Sequence, residues 1–222
     1  MDDIFLLLLI IILPLIAQAK VRSSYNKYSK IKSSSNLTGK DVAKMILERN
    51  GINNVSVEQI GGTLSDHYNP KGKNICLSSS IYNDCSISSI SVAAHECGHA
   101  LQDKEAYSFF NIRSMLVPVV NVTSKISSIM IILGFILEFV NLLEIGIILL
   151  CVGLLFQFIT LPVEFNASKR ARIQLQELGL IKDDEILGVK KVLSAAALTY
   201  VAGFLAEMLQ VLRIVLLSRR RN

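Results

Sequence analysis

The run HECGH at residues 95–99 combines residue types and spacing that suit a zinc ion bound on one face of a helix. On an α-helix, residues i and i+4 lie one turn apart, so the imidazoles of His95 and His99 can both reach a metal at about 2.0–2.1 Å. Glu96 is rotated by about 100° from His95 and lies beside the metal position, where a general base belongs. The chain has only 3 His, which makes this pattern an informative signal for zinc.

A catalytic zinc site needs a third protein ligand, and the candidates are His67 and the carboxylates. Asp103 and Glu105 lie beyond the motif on the same straight helix and cannot fold back to the metal. Glu164 follows an apolar run that ends in Leu-Pro-Val, where an acidic residue is unusual. Two interpretations of Glu164 remain open from spacing alone: a ligand supplied by a separate helix, or a helix-start residue after Pro162.

The composition indicates that the elements carrying these residues are tied to a membrane. The 222 residues are 51% hydrophobic and only 18% charged, with no Trp. A water-facing surface carries roughly a quarter to a third charged residues, so part of this chain must place its surface in lipid. The same composition excludes a disordered chain and a small domain that is held together by disulfide bonds.

Four apolar segments predict membrane-spanning helices. They are residues 4–19, the two arms of a hairpin within 126–161 whose first arm can begin near Val117, and 192–217. A polar break at 138–144 separates the arms. The first segment is predicted to be an uncleaved anchor because acidic residues precede it and basic residues follow it, and a cleaved signal peptide is the alternative. In the last segment, Glu207 is expected to pair with Arg213 or with a neighbouring helix.

The basic residues predict the topology. Of the 23 Lys and Arg, residues 20–114 hold 12 and residues 164–191 hold 6, whereas the hairpin loop has none. The positive-inside rule therefore places the N-terminus outside and both polar regions in the cytoplasm. The basic tail at 219–221 then lies on the side that the rule disfavours. The predicted topology explains the excess of basic over acidic residues, so no nucleic-acid partner is expected.

The first polar region has the pattern of a small α+β unit. Thr38 and Asp41 predict a capping box that opens a helix, and Gly51 predicts its end. Strand patterns follow at 55–60, 63–68 and 74–77, the last two forming a hairpin, and a second helix is predicted over 86–104. Residues 74–77 are either an ordinary strand or, in the interpretation that we favour, an edge strand that pairs with an extended substrate.

Four separated motifs in order resemble the YugP-like family of bacterial membrane zinc metallopeptidases. They are HECGH at 95–99, LPVEFNAS at 161–168, DHYNP at 66–70 and AAALTYV at 195–201, and they extend over nearly the full chain. More distantly, Glu164-x-x-Ala-Ser is similar to the Glu-x-x-Ala-Asp segment of HtpX-type membrane endopeptidases, whose Glu is the third zinc ligand. The resemblance implies that Glu164 completes the site. Because Ser168 replaces that Asp, Asn166 or Ser168 is expected to orient a ligand instead.

The predicted fold is an integral membrane, mainly α protein with about four transmembrane helices and a small α+β zincin-like catalytic unit. Its predicted regions are an anchor at 1–19, the catalytic region at 20–114 and a transmembrane hairpin at 115–163. A cytoplasmic helical segment with the third ligand follows at 164–191, and a C-terminal transmembrane helix with a basic tail occupies 192–222. We expect a multi-pass protein of the cell membrane whose site faces the cytoplasm.

The predicted activity is Zn²⁺-dependent hydrolysis of peptide bonds in membrane or membrane-proximal proteins, with Glu96 as the general base. His67 is either a structural hairpin residue or, like its neighbour Tyr68, a donor to the oxyanion. The expected partners are a protein or peptide substrate and the lipid bilayer, and a membrane-protein partner is left open. The alternative is a zinc-stabilised, non-catalytic membrane scaffold or chaperone partner. Glu96 favours the enzyme, because a closed structural site needs no base.

Overall fold

The computed structural model describes residues 2–219, which form seven helices and one three-stranded sheet. The order is α1 Asp2–Tyr28, α2 Gly39–Arg49, β1 Ser56–Ile60, β2 His67–Asn69, β3 Asn74–Ser78, α3 Ser79–Tyr82, α4 Ile87–Lys104, α5 Ser108–Ile136, α6 Val140–Glu177 and α7 Asp183–Arg219. Arg220 and Arg221 of the basic tail lie outside the described residues, so the prediction about their side of the membrane is not addressed by the structure.

Four helices are long and apolar enough to cross a membrane, as the sequence predicts: α1, α5, α6 and α7. The last two are 38 and 37 residues long, well beyond the roughly 20 residues that span a bilayer. The predicted helical segment at 164–191 is accordingly not an independent helix. It comprises the end of α6, a connection over 178–182 and the start of α7.

The chain folds into two compact units, each assembled from separate stretches of sequence. One contains the residues up to Gln18, Asn111–Pro162 and those from Leu198 onward. The other contains Ala19–Phe110 and Val163–Ala197. Every residue predicted to do chemistry belongs to this second unit, which is called the site unit below.

In the first unit, α5 and α6 form the predicted hairpin around small residues. Ser127 Oγ donates a hydrogen bond to the carbonyl of Gly146 at 2.8 Å, and a Cβ on Gly146 would lie only 2.6 Å from the Ile131 side chain. The break between the arms is shorter than the predicted 138–144, because α6 already begins at Val140. Glu144 is an exposed residue within this helix, so its charge does not require a loop.

In α7, the last of the candidate membrane helices, Glu207 and Arg213 do not pair with each other, which was one of the two predicted alternatives. Arg213 binds Asp3, with 2.7 Å between Nε and Oδ1, so it is not the partner of Glu207. Glu207 instead lies against the neighbouring α6, where a Cβ on Gly153 would be 2.9 Å from Glu207 Oε1. The glycine thus makes room for a carboxyl group between two helices.

The sheet of the site unit corrects the prediction for residues 74–77. The strand order is β1-β3-β2, with β3 parallel to β1 and antiparallel to β2. Strand β3 is therefore central, and both sides of its backbone are already used by neighbouring strands. It cannot be the edge strand that receives a substrate. The free edges of this sheet belong to β1 and β2.

The helices of the site unit follow their sequence signals closely. Thr38 and Asp41 form both bonds of the predicted capping box at the start of α2, and Gly51 adopts a φ of +60° after its end. Ser86 caps α4 by accepting a hydrogen bond from the Ser89 amide at 3.2 Å. Small buried side chains let α4 pack tightly against its neighbours: Ala93, Ala94, Cys97 and Ala100.

Candidate metal centre

Two imidazoles from α4 and one carboxylate from α6 converge at a buried point. Glu164 Oε2 lies 3.2 Å from His95 Nε2 and 3.6 Å from His99 Nε2, and the three potential ligand atoms lie within 4.8 Å of one another. The side chains of His95, His99 and Glu164 are 12%, 8% and 2% exposed. The structure thus brings together the three residues predicted to hold the metal.

Glu164 lies in the middle of the helix α6 and not at its start. Pro162 lies inside α6, so the alternative interpretation, in which Glu164 starts a helix after this proline, is wrong. The close approach of α6 to α4 depends on Gly98, the fourth residue of the HECGH run. A Cβ on Gly98 would lie 2.6 Å from the carbonyl oxygen of Ala167, which is closer than real Cβ contacts come.

The hydrogen bonds of His99 fit a cation at this point. Its Nδ1 lies 3.0 Å from Gln102 Oε1, and an amide oxygen can only accept, so Nδ1 carries the proton. In the neutral ring, the lone pair of Nε2 then faces the Glu164 carboxylate. A positive charge between this lone pair and the carboxylate, either a metal ion or the proton of a charged ring, makes their approach favourable. Two imidazoles and one carboxylate form a common ligand set of catalytic zinc.

The residues expected to orient a ligand lie on the same turn of α6. Ser168 Oγ is 3.2 Å from His95 Nδ1, so this hydroxyl occupies the position of an outer partner of the first imidazole. The hydrogen bonds of Asn166 go to Gln102 and Arg170, and neither partner is an imidazole. Asn166 Oδ1 accepts from Gln102 Nε2 at 2.9 Å, and Asn166 therefore reaches His99 only through Gln102.

Glu96 is buried beside the candidate ligands, and only 7% of it is exposed. Burial is the main cause that raises the pKa of Glu96 to about 7, and the nearby charges of Glu164 and Asp66 add to it. The backbone N–H of Tyr68 donates a hydrogen bond to the Glu96 carboxylate and opposes this shift. A carboxyl group whose pKa lies near neutrality can both take up and return a proton.

The side chains of His67 and Tyr68 are engaged elsewhere. His67 is exposed on β2, and its Nδ1–H donates to the Ser65 carbonyl at 2.9 Å. A neutral His67 therefore has no second N–H for an oxyanion. The Tyr68 hydroxyl donates to Asp103 Oδ2 at 2.5 Å, and Lys73 Nζ binds the same oxygen. These bonds disfavour the prediction that either side chain stabilises the oxyanion.

Two contributors to the site were missed in the sequence. Gln102 follows His99 by three residues, so the helical spacing i, i+3 could have identified it as a neighbour on the same face. The Tyr68 amide could not have been identified, because its role depends on how β2 lies against α4 and not on its side chain.

Comparisons with known proteins agree with this chemistry. The chain matches the model of a family described as "Putative neutral zinc metallopeptidase" over residues 3–219. It is 48% identical over 201 residues to a protein of Bacillus subtilis (strain 168) named "Putative membrane protease YugP". That match covers 90% of this chain and 89% of the relative. No solved structure matches the chain significantly.

Proposed function

The chain belongs to the neutral zinc metallopeptidase family, and from this membership we propose that it is a membrane-bound zinc endopeptidase. The observation that carries the proposal is the convergence of His95, His99 and Glu164 around one point, with the buried carboxyl group of Glu96 beside it. Three protein ligands leave a tetrahedral metal with one open position, which is the arrangement of a catalytic site.

The residues of the chain divide the work of hydrolysis. A zinc ion bound here would supply a Lewis acid that polarises the scissile carbonyl and acidifies a water molecule. Glu96 takes a proton from the attacking water and delivers it to the leaving amine. The Tyr68 amide holds the Glu96 carboxylate in place, and Ser168 holds the ring of His95.

We further propose that an extended peptide substrate lies along the free edge of β2. Because the Tyr68 N–H is directed at Glu96, this edge of β2 faces the site. In a β-strand, the carbonyl of a residue points to the same side as its N–H, so the Tyr68 carbonyl can accept from a substrate amide. The site unit is zincin-like in the sense that its HExxH helix lies beneath an edge strand.

The non-catalytic scaffold is the weaker alternative. A structural zinc site is closed by four protein ligands, whereas the candidate metal group in the described part of the chain contains three. A scaffold also has no use for a buried carboxyl group next to the metal, because burying it without a function costs free energy.

Metal removal tests the proposed activity directly. We expect the purified full-length protein in detergent to cleave an unstructured protein substrate, and a zinc chelator to reduce cleavage to the level of the substrate alone. Added zinc should restore the activity. The measurement is the appearance of new N-termini by mass spectrometry. Cleavage that continues after metal analysis shows no bound zinc would contradict the proposal.

The substrates are proposed to be membrane or membrane-proximal proteins, cleaved on the cytoplasmic side. Glu164 lies on the same helix as an apolar membrane segment, and the basic residues favour a cytoplasmic site unit. A membrane-impermeant maleimide should label Glu138→Cys, in the hairpin connection, in intact cells. It should label Glu58→Cys, on β1, only after the membrane is permeabilised. The reverse pattern would invert the topology.

A further inference from the structure

We propose that Gln102 is a positioning residue that holds the Nε2 atom of His99 toward the metal and fixes the spacing of the two ligand helices. The inference rests on the proposed zinc site and adds a residue to it. Gln102 is 0% exposed, on the face of α4 that carries His99. A buried amide is costly unless its polar atoms are bonded, so a Gln at this place needs a reason.

The Gln102 amide forms three hydrogen bonds that join both ligand helices. Its Oε1 accepts from His99 Nδ1 at 3.0 Å. Its Nε2 donates to the backbone carbonyl of Val163 at 2.8 Å and to Asn166 Oδ1 at 2.9 Å. Val163 directly precedes Glu164. One side chain therefore connects a ligand on α4 with the backbone next to the ligand on α6.

Arg170, at the outer end of the network, determines which atoms donate and which accept in these hydrogen bonds. Arg170 Nε donates to Asn166 Oδ1 at 2.7 Å, and a guanidinium can only donate. Asn166 Oδ1 is therefore an acceptor, and the Gln102 atom that faces it must be the amide nitrogen. The Gln102 oxygen then faces His99, which places the proton of the neutral ring on Nδ1 and the lone pair on Nε2.

The network ends where α4 ends. The Arg170 guanidinium binds both oxygens of Glu105, at 2.8 and 2.7 Å, and Glu105 caps the C-terminus of α4. The bonds thus run from α4 to α6 and return to α4. These bonds hold α6 at a set distance from His99, with Gln102 at the buried end of the network and Glu105 at its exposed end.

The test is the zinc affinity of the full-length protein, measured by competition with a chelator. Gln102→Met keeps the length of the side chain and removes all three hydrogen bonds. We expect it to bind zinc about 10–100-fold more weakly, the usual effect of losing an outer partner of a metal-bound His. Gln174→Met is the matched control, because Gln174 accepts from Asn50, the residue after the end of α2, and lies outside the network.

Equal zinc affinity of Gln102→Met and the unmodified protein would overturn the proposal. A second measurement needs no variant. With 3 His in the chain, nitrogen NMR of the metal-free protein can be assigned, and neutral His99 should carry its proton on Nδ1. A proton on Nε2 would also overturn the inference. If the unmodified protein binds no zinc, the proposed function itself fails, which separates the two outcomes.

Discussion

Glu96→Gln is expected to slow peptide hydrolysis by orders of magnitude while the protein keeps its zinc. The amide has nearly the size of the carboxyl group and can still accept the hydrogen bond from the Tyr68 amide. It cannot take a proton from water at neutral pH. General acid–base catalysis contributes typically about 10²–10⁴-fold, so we expect a loss of that size. Cleavage of an unstructured protein substrate and zinc content are measured on the same preparation.

The control for this substitution is Glu48→Gln, on an exposed position of α2, which should leave both measurements unchanged. The result can be extended to cells by comparing the N-termini of the membrane proteome between strains with the unmodified protein and with Glu96→Gln. Termini that disappear in the variant identify substrates. Equal sets of fragments, with both proteins present at the same level, would contradict the peptidase assignment.

Glu164→Gln is expected to lose zinc. An amide is a weaker metal ligand than a carboxylate, and the substitution removes the negative charge that balances the cation between His95 and His99. Loss of an outer partner costs up to about 100-fold in metal affinity, and we expect a larger loss for a direct ligand. Hydrolysis should disappear together with the metal.

The stability of Glu164→Gln offers a readout that does not depend on catalysis. Zinc that binds only the folded state stabilises it by about 2.7 kcal/mol at a free concentration 100 times the dissociation constant. Zinc should therefore raise the unfolding temperature of the unmodified protein and leave that of Glu164→Gln unchanged. Glu177→Gln, at the exposed end of the same helix, should respond as the unmodified protein does. Full zinc occupancy in Glu164→Gln would show that another residue is the third ligand.

The sequence by itself determined the local parts of this protein. The spacing of His95 and His99 places both rings on one helix face whatever the rest of the chain does, because helix geometry is fixed within one turn. The capping box at Thr38 and the four apolar helices follow from short stretches in the same way. Each of these predictions depends on residues a few positions apart.

Only the tertiary structure decided the parts that depend on distant residues. Spacing left Glu164 with two interpretations, and the choice required α6 to pass close to α4 at Gly98, which is distant from Glu164 in the sequence. Three further features also depend on contacts between residues that are distant in the sequence. They are the central place of β3, the bond from the Tyr68 amide to Glu96 and the links from Gln102 to α6. Backbone groups and buried amides acquire their partners by packing, which no local pattern of residue types specifies.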